Sequence, residues 1–301
     1  MKRKPIYVEA FIRSDTDALW EYTQDPKKHE RWDLRFSRIA YMPRPDEASP
    51  QRFLYETQIG FGLSIAGEGE SVGSHVKETG ERTSALKFWT DQPVSLIKKG
   101  SGYWKYIPEE GGVRFLTQYD YQTRFGMAGT WFDALIFRPL MGWATAWSFE
   151  RLRLWLEQGM DPKLSLLRSV IQCIIVWTLA FTWIYQGAVP KLLYKNPEEL
   201  ALLKGTGLVP ENGASIVLTG AGMLEILFGL CFFWLWRSKG LFILNIVLLL
   251  FLDVGAFLGN SSLFTAPFNP VTLSVLMISF SLVAILNQGS LPDTKRCIRT
   301  R

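Results

Sequence analysis

The chain has 301 residues, 33 Lys and Arg against 28 Asp and Glu, a formal net charge of +5 and 48% hydrophobic residues. That length suits about two domains. Three cysteines without a C-x-x-C pair argue against a disulfide framework, a thioredoxin-type site and a zinc site. The dispersed basic residues, with no aromatic-interleaved stripe, argue against nucleic-acid binding.

The start, MKRKPIYVEAF, is basic but has no apolar segment behind it, so no signal peptide is expected. Up to about Ser165 the chain mixes charged, aromatic and aliphatic residues as a soluble domain does. Beyond it, four long apolar runs follow. The first insertable segment begins near Arg168, so a soluble domain precedes the membrane part.

Ile6–Arg13 alternates with the strand period. Ser14 and Asp15 offer N-caps, and the stretch from Asp15 to Trp32 reads as one or two short helices. Strands are predicted at Ser37–Tyr41, Arg52–Ile59, Leu63–Ser71, Ala85–Thr90, Gly102–Ile107 and Val113–Gln122. The Glu109–Gly112 run EEGG marks a hairpin. A helix near Gly129–Gln158 closes the domain, and Pro139 should kink or restart it. Gly60, Gly62, Gly67 and Gly69 fall among strands rather than at the opening of a helix. They read as bulges in a curving sheet, not as a phosphate cradle.

One strand, two helices, an antiparallel meander and a long last helix is the order of an α+β helix-grip fold. With Ile6–Arg13, Asp17-Ala18-Leu19-Trp20, Asp25-Pro26 with Trp32, and the terminal helix, residues 1–160 resemble the START-like polyketide-cyclase/SRPBCC superfamily. The resemblance implies a curved sheet wrapped around the last helix and an apolar cavity for a lipid-, sterol- or polyketide-like molecule. Candidate lining residues are Trp20, Trp32, Phe61, Phe88, Trp89, Tyr103, Tyr119, Tyr121, Trp143 and Trp147; for any single one of them an ordinary place in an aromatic core is the preferred reading. His29 and His75 stand in charged, turn-like contexts and are expected at the surface. Arg82, Arg114 and Arg124 are read as solvated strand residues in preference to head-group contacts. No nucleophile or acid–base pair stands out, so whether the chain is an enzyme stays open.

The apolar runs give an all-α bundle of four spans, near Val170–Tyr185, Ile216–Trp236, Leu241–Leu258 and Val271–Leu286. Basic residues Arg151, Arg153, Lys163 and Arg168 precede the first. Arg237 and Lys239 fill the turn after the second, and Lys295, Arg296, Arg299 and Arg301 follow the fourth. The positive-inside rule then places both termini in the cytoplasm of a multi-pass cell-membrane protein. Residues 289–301 form a basic cytoplasmic tail, in which Cys297 is read as a reduced thiol in preference to a palmitoylation site. Pro197–Lys204, in the outward loop, looks like a short interfacial helix.

The second run carries Glu225 at its middle. An acid at that depth costs at least ~2.5–3.5 kcal/mol and is a functional candidate by default. Gly222 and Gly229 share its face and let a second helix come close. On the third run Asn245, Leu249, Asp253, Ala256 and Asn260 share a face. The stretches from Trp183 to Lys191 and from Gly220 to Glu225, the run Asp253–Ala256, and Asn269-Pro270 resemble the DoxX-like family over residues 168–288. The resemblance implies a four-helix membrane bundle, and some relatives are subunits of quinone-linked oxidoreductases.

A bundle of this kind would gather Glu225, Asp253, Tyr185, Gln186 and Lys191 around one outward polar pocket. A purely structural hydrogen-bonded network is weighed equally for the two acids, and for Lys191 an interfacial snorkelling role is preferred. Two functions are carried forward, the first favoured for the soluble half and the bundle's role left open. The first is a cytoplasmic cup for a hydrophobic small molecule, tethered to the bundle. The second is a membrane subunit using its intramembrane acids, with quinone as cofactor and a redox partner protein supplying the redox centre. A structural or assembly role is the third.

Overall fold

The structure, a computed structural model, describes residues 4–46, 49–60, 62–207, 209–267 and 269–300. It divides into two units. The first is Met1–Leu166 together with Pro292–Arg301, and the second is Leu167–Leu291.

The first unit is an antiparallel sheet of seven strands. They are β1 (Ile6–Ile12), β2 (Arg38–Tyr41), β3 (Arg52–Gly60), β4 (Leu63–Val76), β5 (Arg82–Trp89), β6 (Ile97–Glu109) and β7 (Gly112–Thr123), in the spatial order β1-β7-β6-β5-β4-β3-β2. Helices α1 (Thr16–Gln24) and α2 (Pro26–Trp32) fill the crossing from β1 to β2. Both start on aspartate caps. Asp15 accepts from Ala18 N–H at 2.7 Å, and Asp25 accepts from Lys27 and Lys28 ahead of Pro26. The expected hairpin sits at Glu110-Gly111, where Gly111 takes a φ of +79°.

Pro139 acts as expected but not alone. Helix α3 (Gly126–Phe132) passes through a π-helical turn, Asp133–Phe137, into α4 (Arg138–Gln158). A proline at the second residue of α4 has no N–H to give to the preceding turn, and the widened turn absorbs the mismatch. α4 then lies across the sheet. Phe149 stacks on Phe115 of β7 at 4.5 Å, and Trp32, Tyr106, Leu19 and Leu152 close the core around them. The unit is the helix grip that the element order implied.

Residues 292–300 fold back onto this unit. Ile298 exchanges two 2.9 Å backbone hydrogen bonds with Glu9, covering part of the free edge of β1. Asp293 N–H donates to the buried Glu150, whose carboxylate is held by Arg153 at 2.8 and 3.0 Å. Cys297 is buried under α4, and burial pushes its thiol up to about 12. Such a thiol leaves roughly one molecule in 10^5 ionised at neutral pH. Cys297 is therefore expected to resist maleimide in the folded protein and to label once it is denatured, which peptide mass mapping reads directly.

The second unit holds α5 (Pro162–Gln186, which starts in the first unit and runs into a second π-helical turn, Gly187–Leu193), α6 (Pro197–Gly205), α7 (Ala214–Leu235), α8 (Lys239–Gly259) and α9 (Pro270–Asn287). Among the described residues, four helical segments are long and apolar enough to cross a membrane. Polar side chains link them at several levels. Asn287 donates to Arg168 O, and Gln172 donates to Trp236 O. Trp183 donates to Asn245 at 2.7 Å, and Asn245 to Ser281 at 2.8 Å. Each link joins different helices, which is how spans are held when the surrounding lipid is as apolar as the side chains.

Candidate functional site

Two groupings carry chemistry, one in each unit. The first starts at the end of α2. His29 and Asp33 are four residues apart on one helical face, and Asp33 caps the helix by donating its N–H to His29 O at 3.1 Å. The chain then turns so that Arg35 reaches back to Asp33, Nε to Oδ1 at 2.9 Å and Nη2 to Oδ2 at 2.6 Å. The turn is fixed from both sides. Leu34 N–H donates to Ser148 of α4, and Thr57 of β3 donates to Arg35 O.

His29 Nε2 lies 3.1 Å from Asp33 Oδ2, the oxygen that Arg35 Nη2 also holds. With an ionised carboxylate opposite, Nε2 carries the hydrogen and donates. Burial by itself would raise the Asp33 carboxyl. The charge and hydrogen bonds of Arg35, with help from His29, override it and hold Asp33 well below the usual carboxylate range. The Arg35 guanidinium lies 5.4 Å over the Tyr119 ring and 5.6 Å over Phe36. Tyr119 in turn meets Thr145 of α4 at 2.9 Å. An arginine thus stands in the inner wall among aromatic rings, with its counter-ion behind it.

This corrects the placing of His29 at the surface. It is 9% exposed and stacks on Trp32 at 5.0 Å, because the face of α2 that carries it is the one turned to Trp104 and α4. His75 is exposed, as expected. A His and an Asp four residues apart, followed by Arg two later, is the legible signal. Arg82, Arg114 and Arg124 have other work: they pair with Asp17, pair with Glu109, and bind the carbonyls of Thr90, Gln92, Ser95 and Ile97.

The aromatic residues divide by strand parity. Tyr119, Tyr121 and Phe88 face inward, Phe88 half-buried over Gly100. Trp20 packs on Tyr106, and Trp32 is wholly in the core. Trp143 stacks on Trp147 at 6.2 Å, the first exposed and the second buried. Trp89 and Tyr103 are corrections. Each follows or precedes an inward residue (Phe88, Trp104), so each points to the outer face. There Arg52 lies over Trp89, and Tyr103 bonds Gln118 at 2.9 Å beside an outer hollow of about 380 Å³. Gly67 and Gly69 are not bulges. The rings of Tyr55 and Phe53 occupy the space their side chains would need. Phe61 lies outside the described residues.

The second grouping is built by the π-helical turn Gly187–Leu193. Pro190 cannot donate within it, and the widened turn swings Lys191 against α7. Contact is possible only because of two glycines. A Cβ on Gly187 would stand 2.4 Å from Gly222 O, and one on Gly222 2.9 Å from Lys191 Cβ. About two helical turns further along α7, Gly229 meets Ala180 O in the same way. Lys191 Nζ then lies 3.0 Å from Glu225 and 3.0 Å from Glu199 of α6, as ion pairs, and 3.5 Å from Gln186 O. Glu199 does not stand out in the sequence, where it looks like one more charge in a polar loop. α6 reaches the cluster because Gly205 packs against Gly259 of α8.

The five residues expected around one pocket are therefore divided. Lys191 and Glu225 meet, and Gln186 adds its carbonyl. Asp253 accepts from Ser274 at 2.9 Å, on the seam of α8 and α9. Tyr185 is exposed, with its ring against Phe181.

Residues 180–282, which hold this second grouping, match the DoxX-like family. The uncharacterized membrane protein YndG of Bacillus subtilis (strain 168) is 53% identical over 188 residues, which cover 62% of this chain and 70% of that one. The chain belongs to the YndG family. Among solved structures, the N-terminal half is similar to a STAR-related lipid transfer protein of Xanthomonas axonopodis, at 14% identity and a TM-score of 0.37, covering 50% of this chain and 84% of the other. It is also similar to the Zhui aromatase/cyclase of Streptomyces sp. R1128, at 11% identity and a TM-score of 0.37, covering 50% and 96%. This member of the YndG family joins a seven-stranded antiparallel sheet unit to a unit whose residues 180–282 match the DoxX-like family.

Proposed function

We propose that the first unit is a cup for an apolar molecule carrying one hydrogen-bond-accepting or acidic group, anchored to the membrane by the four-span bundle. Arg35 carries this reading: a guanidinium in an aromatic inner wall, already oriented by Asp33, is a ready partner for the one polar end of a hydrophobic ligand. Half-buried Phe53, Leu86 and Phe88 on the same inner face support an opening above it.

The test uses the full chain, extracted in mild detergent and analysed by native mass spectrometry and solvent extraction. A co-purifying apolar molecule is expected, and its occupancy should fall about tenfold in Arg35→Met, a loss of one charge-assisted contact. A wild-type protein that carries nothing and binds no fatty acid, sterol or polyketide probe overturns the proposal.

The basic flanks support cytoplasmic termini, and the inclusion of Pro292–Arg301 in the first unit supports a shared side for the two ends. A C-terminal alkaline-phosphatase fusion should be inactive and a fluorescent-protein fusion bright; the reverse pair of results refutes the orientation.

The Lys191–Glu225–Glu199 cluster favours a second reading for the bundle, a quinone-linked membrane subunit in which Lys191 donates to a quinone oxygen. Glu225→Gln should then impair quinone-dependent turnover in membranes, and unchanged turnover removes this reading.

A further inference from the structure

The segment from α3 into the start of α4 presents an outward face made only of apolar side chains. Met127, Trp131 and Leu135 form one row at four-residue spacing, and Phe132, Ile136 and Leu140 the next. Met127 is 81%, Trp131 66% and Leu135 69% exposed in the folded chain. Scattered exposed apolar residues are ordinary on protein surfaces, but two adjacent rows of large ones are not.

The charges of the segment explain why the face is bare. Between Arg124 and Glu150 the only charged residues are Asp133 and Arg138. Both turn inward. Asp133 is fully buried, accepting from Tyr121 at 2.7 Å and from Arg138 at 3.0 Å. Arg138 spends its other nitrogens on Asp120 and Lys4 O, with its plane over Tyr121. Arg124 is consumed by backbone carbonyls. No charge is left to solvate the outer rows, so water is a poor neighbour for them.

A bilayer is the neighbour at hand. The chain passes from this unit into the membrane unit at Leu166–Leu167 and returns at Leu291–Pro292, so a lipid surface is tethered to it permanently. A tether of that kind raises the effective concentration of even a weakly attracting surface. The composition suits the headgroup–acyl boundary: Trp and Phe beside Leu, Ile and Met on one side of a short helical segment.

We propose that the face formed by Met127, Trp131, Phe132, Leu135, Ile136 and Leu140 is a membrane-interface docking surface that seats the soluble unit in the lipid headgroup region. It lacks the lysines and arginines of a polybasic surface segment. Its attachment is therefore apolar, and neither salt nor the content of anionic lipid should alter it. The proposal stands whether or not the cup holds a ligand.

The experiment places single reporter cysteines at Trp131→Cys and Leu135→Cys, with His75→Cys on an exposed strand as the water reference, in full-length protein whose three native cysteines are replaced by alanine. Each is reconstituted in phosphatidylcholine nanodiscs. A water-soluble maleimide should label positions 131 and 135 about tenfold more slowly than position 75, as expected for side chains withdrawn from water into the interface. A bimane at either position should be quenched by a nitroxide carried on lipid, and the double substitution Leu135→Glu with Ile136→Glu should abolish quenching at 131.

Labelling at the rate of position 75 without lipid quenching overturns the proposal. So does slow labelling without lipid quenching, which would assign the face to a protein neighbour such as a second copy. Quenching that grows with anionic lipid and falls with salt overturns the apolar mode of attachment.

Discussion

Gly187→Val is expected to unfold or disassemble the membrane bundle. The new Cβ would stand 2.4 Å from the carbonyl oxygen of Gly222, a backbone atom that cannot swing aside, and 3.1 Å from Glu225 Cβ. Relief requires the π-helical turn and α7 to part, which also separates Lys191 from Glu225. Overpacking of this kind costs about 3 kcal/mol or more when backbone must move. Gly220→Val on the same α7 helix is the control, since nothing lies within 4 Å of its Cβ. It should stay within about 1 kcal/mol of the parent. Thermal unfolding followed by size-exclusion chromatography in detergent separates the two. A Gly187→Val protein as stable as Gly220→Val would mean the two helices do not meet at this point.

The second large effect concerns the buried Asp33–Arg35 pair. Asp33→Ala leaves a guanidinium in the core without its counter-ion and should cost about 3–5 kcal/mol. Replacing both, Asp33→Leu with Arg35→Met, removes the charges together and should recover most of that stability. The double variant then separates binding from folding, because it should fold and yet lose the apolar ligand as Arg35→Met does.

The pair also sets a pH dependence. Asp33 is held below its ordinary value in the folded protein, so it contributes stability above the unfolded value of about 4, and that contribution is lost as pH falls below it. Wild-type protein should therefore lose more stability than the double variant between about pH 5 and pH 2. Parallel acid-unfolding curves would show that the pair carries no such energy.

Much of this architecture is legible in the sequence. Alternating residues and turn chemistry locate every strand, although β4 and β6 run on past the expected ends. They do so because a pleated strand with one wet face leaves a period of two in the chain. The four spans follow from apolar length, and the prolines at 139 and 190 both lie at or beside helical irregularities. Gly222 and Gly229 read as close-approach positions, and a neighbouring helix sits on both.

The residues that the sequence misplaces share one cause. Whether His29 is buried depends on which side of a seven-residue helix meets the sheet, and α2 is too short for its own pattern to say so. Trp89 and Tyr103 lie on the outer face because neighbouring residues of a strand point to opposite faces, and Phe88 and Trp104 beside them take the inner one. Glu199 looks like a loop charge until the Gly205–Gly259 contact pulls α6 against the bundle. The tail looks like a free basic end until Ile298 pairs with Glu9 across almost the whole length of the chain.

What the chain determined alone was the order and kind of its elements, since strand period, apolar length and breakers act over short stretches of neighbouring residues. Which charges meet was decided only by tertiary structure. Asp33 with Arg35 and His29, and Lys191 with Glu225 and Glu199, are partners because turns, bulges and glycine contacts bring their backbones together.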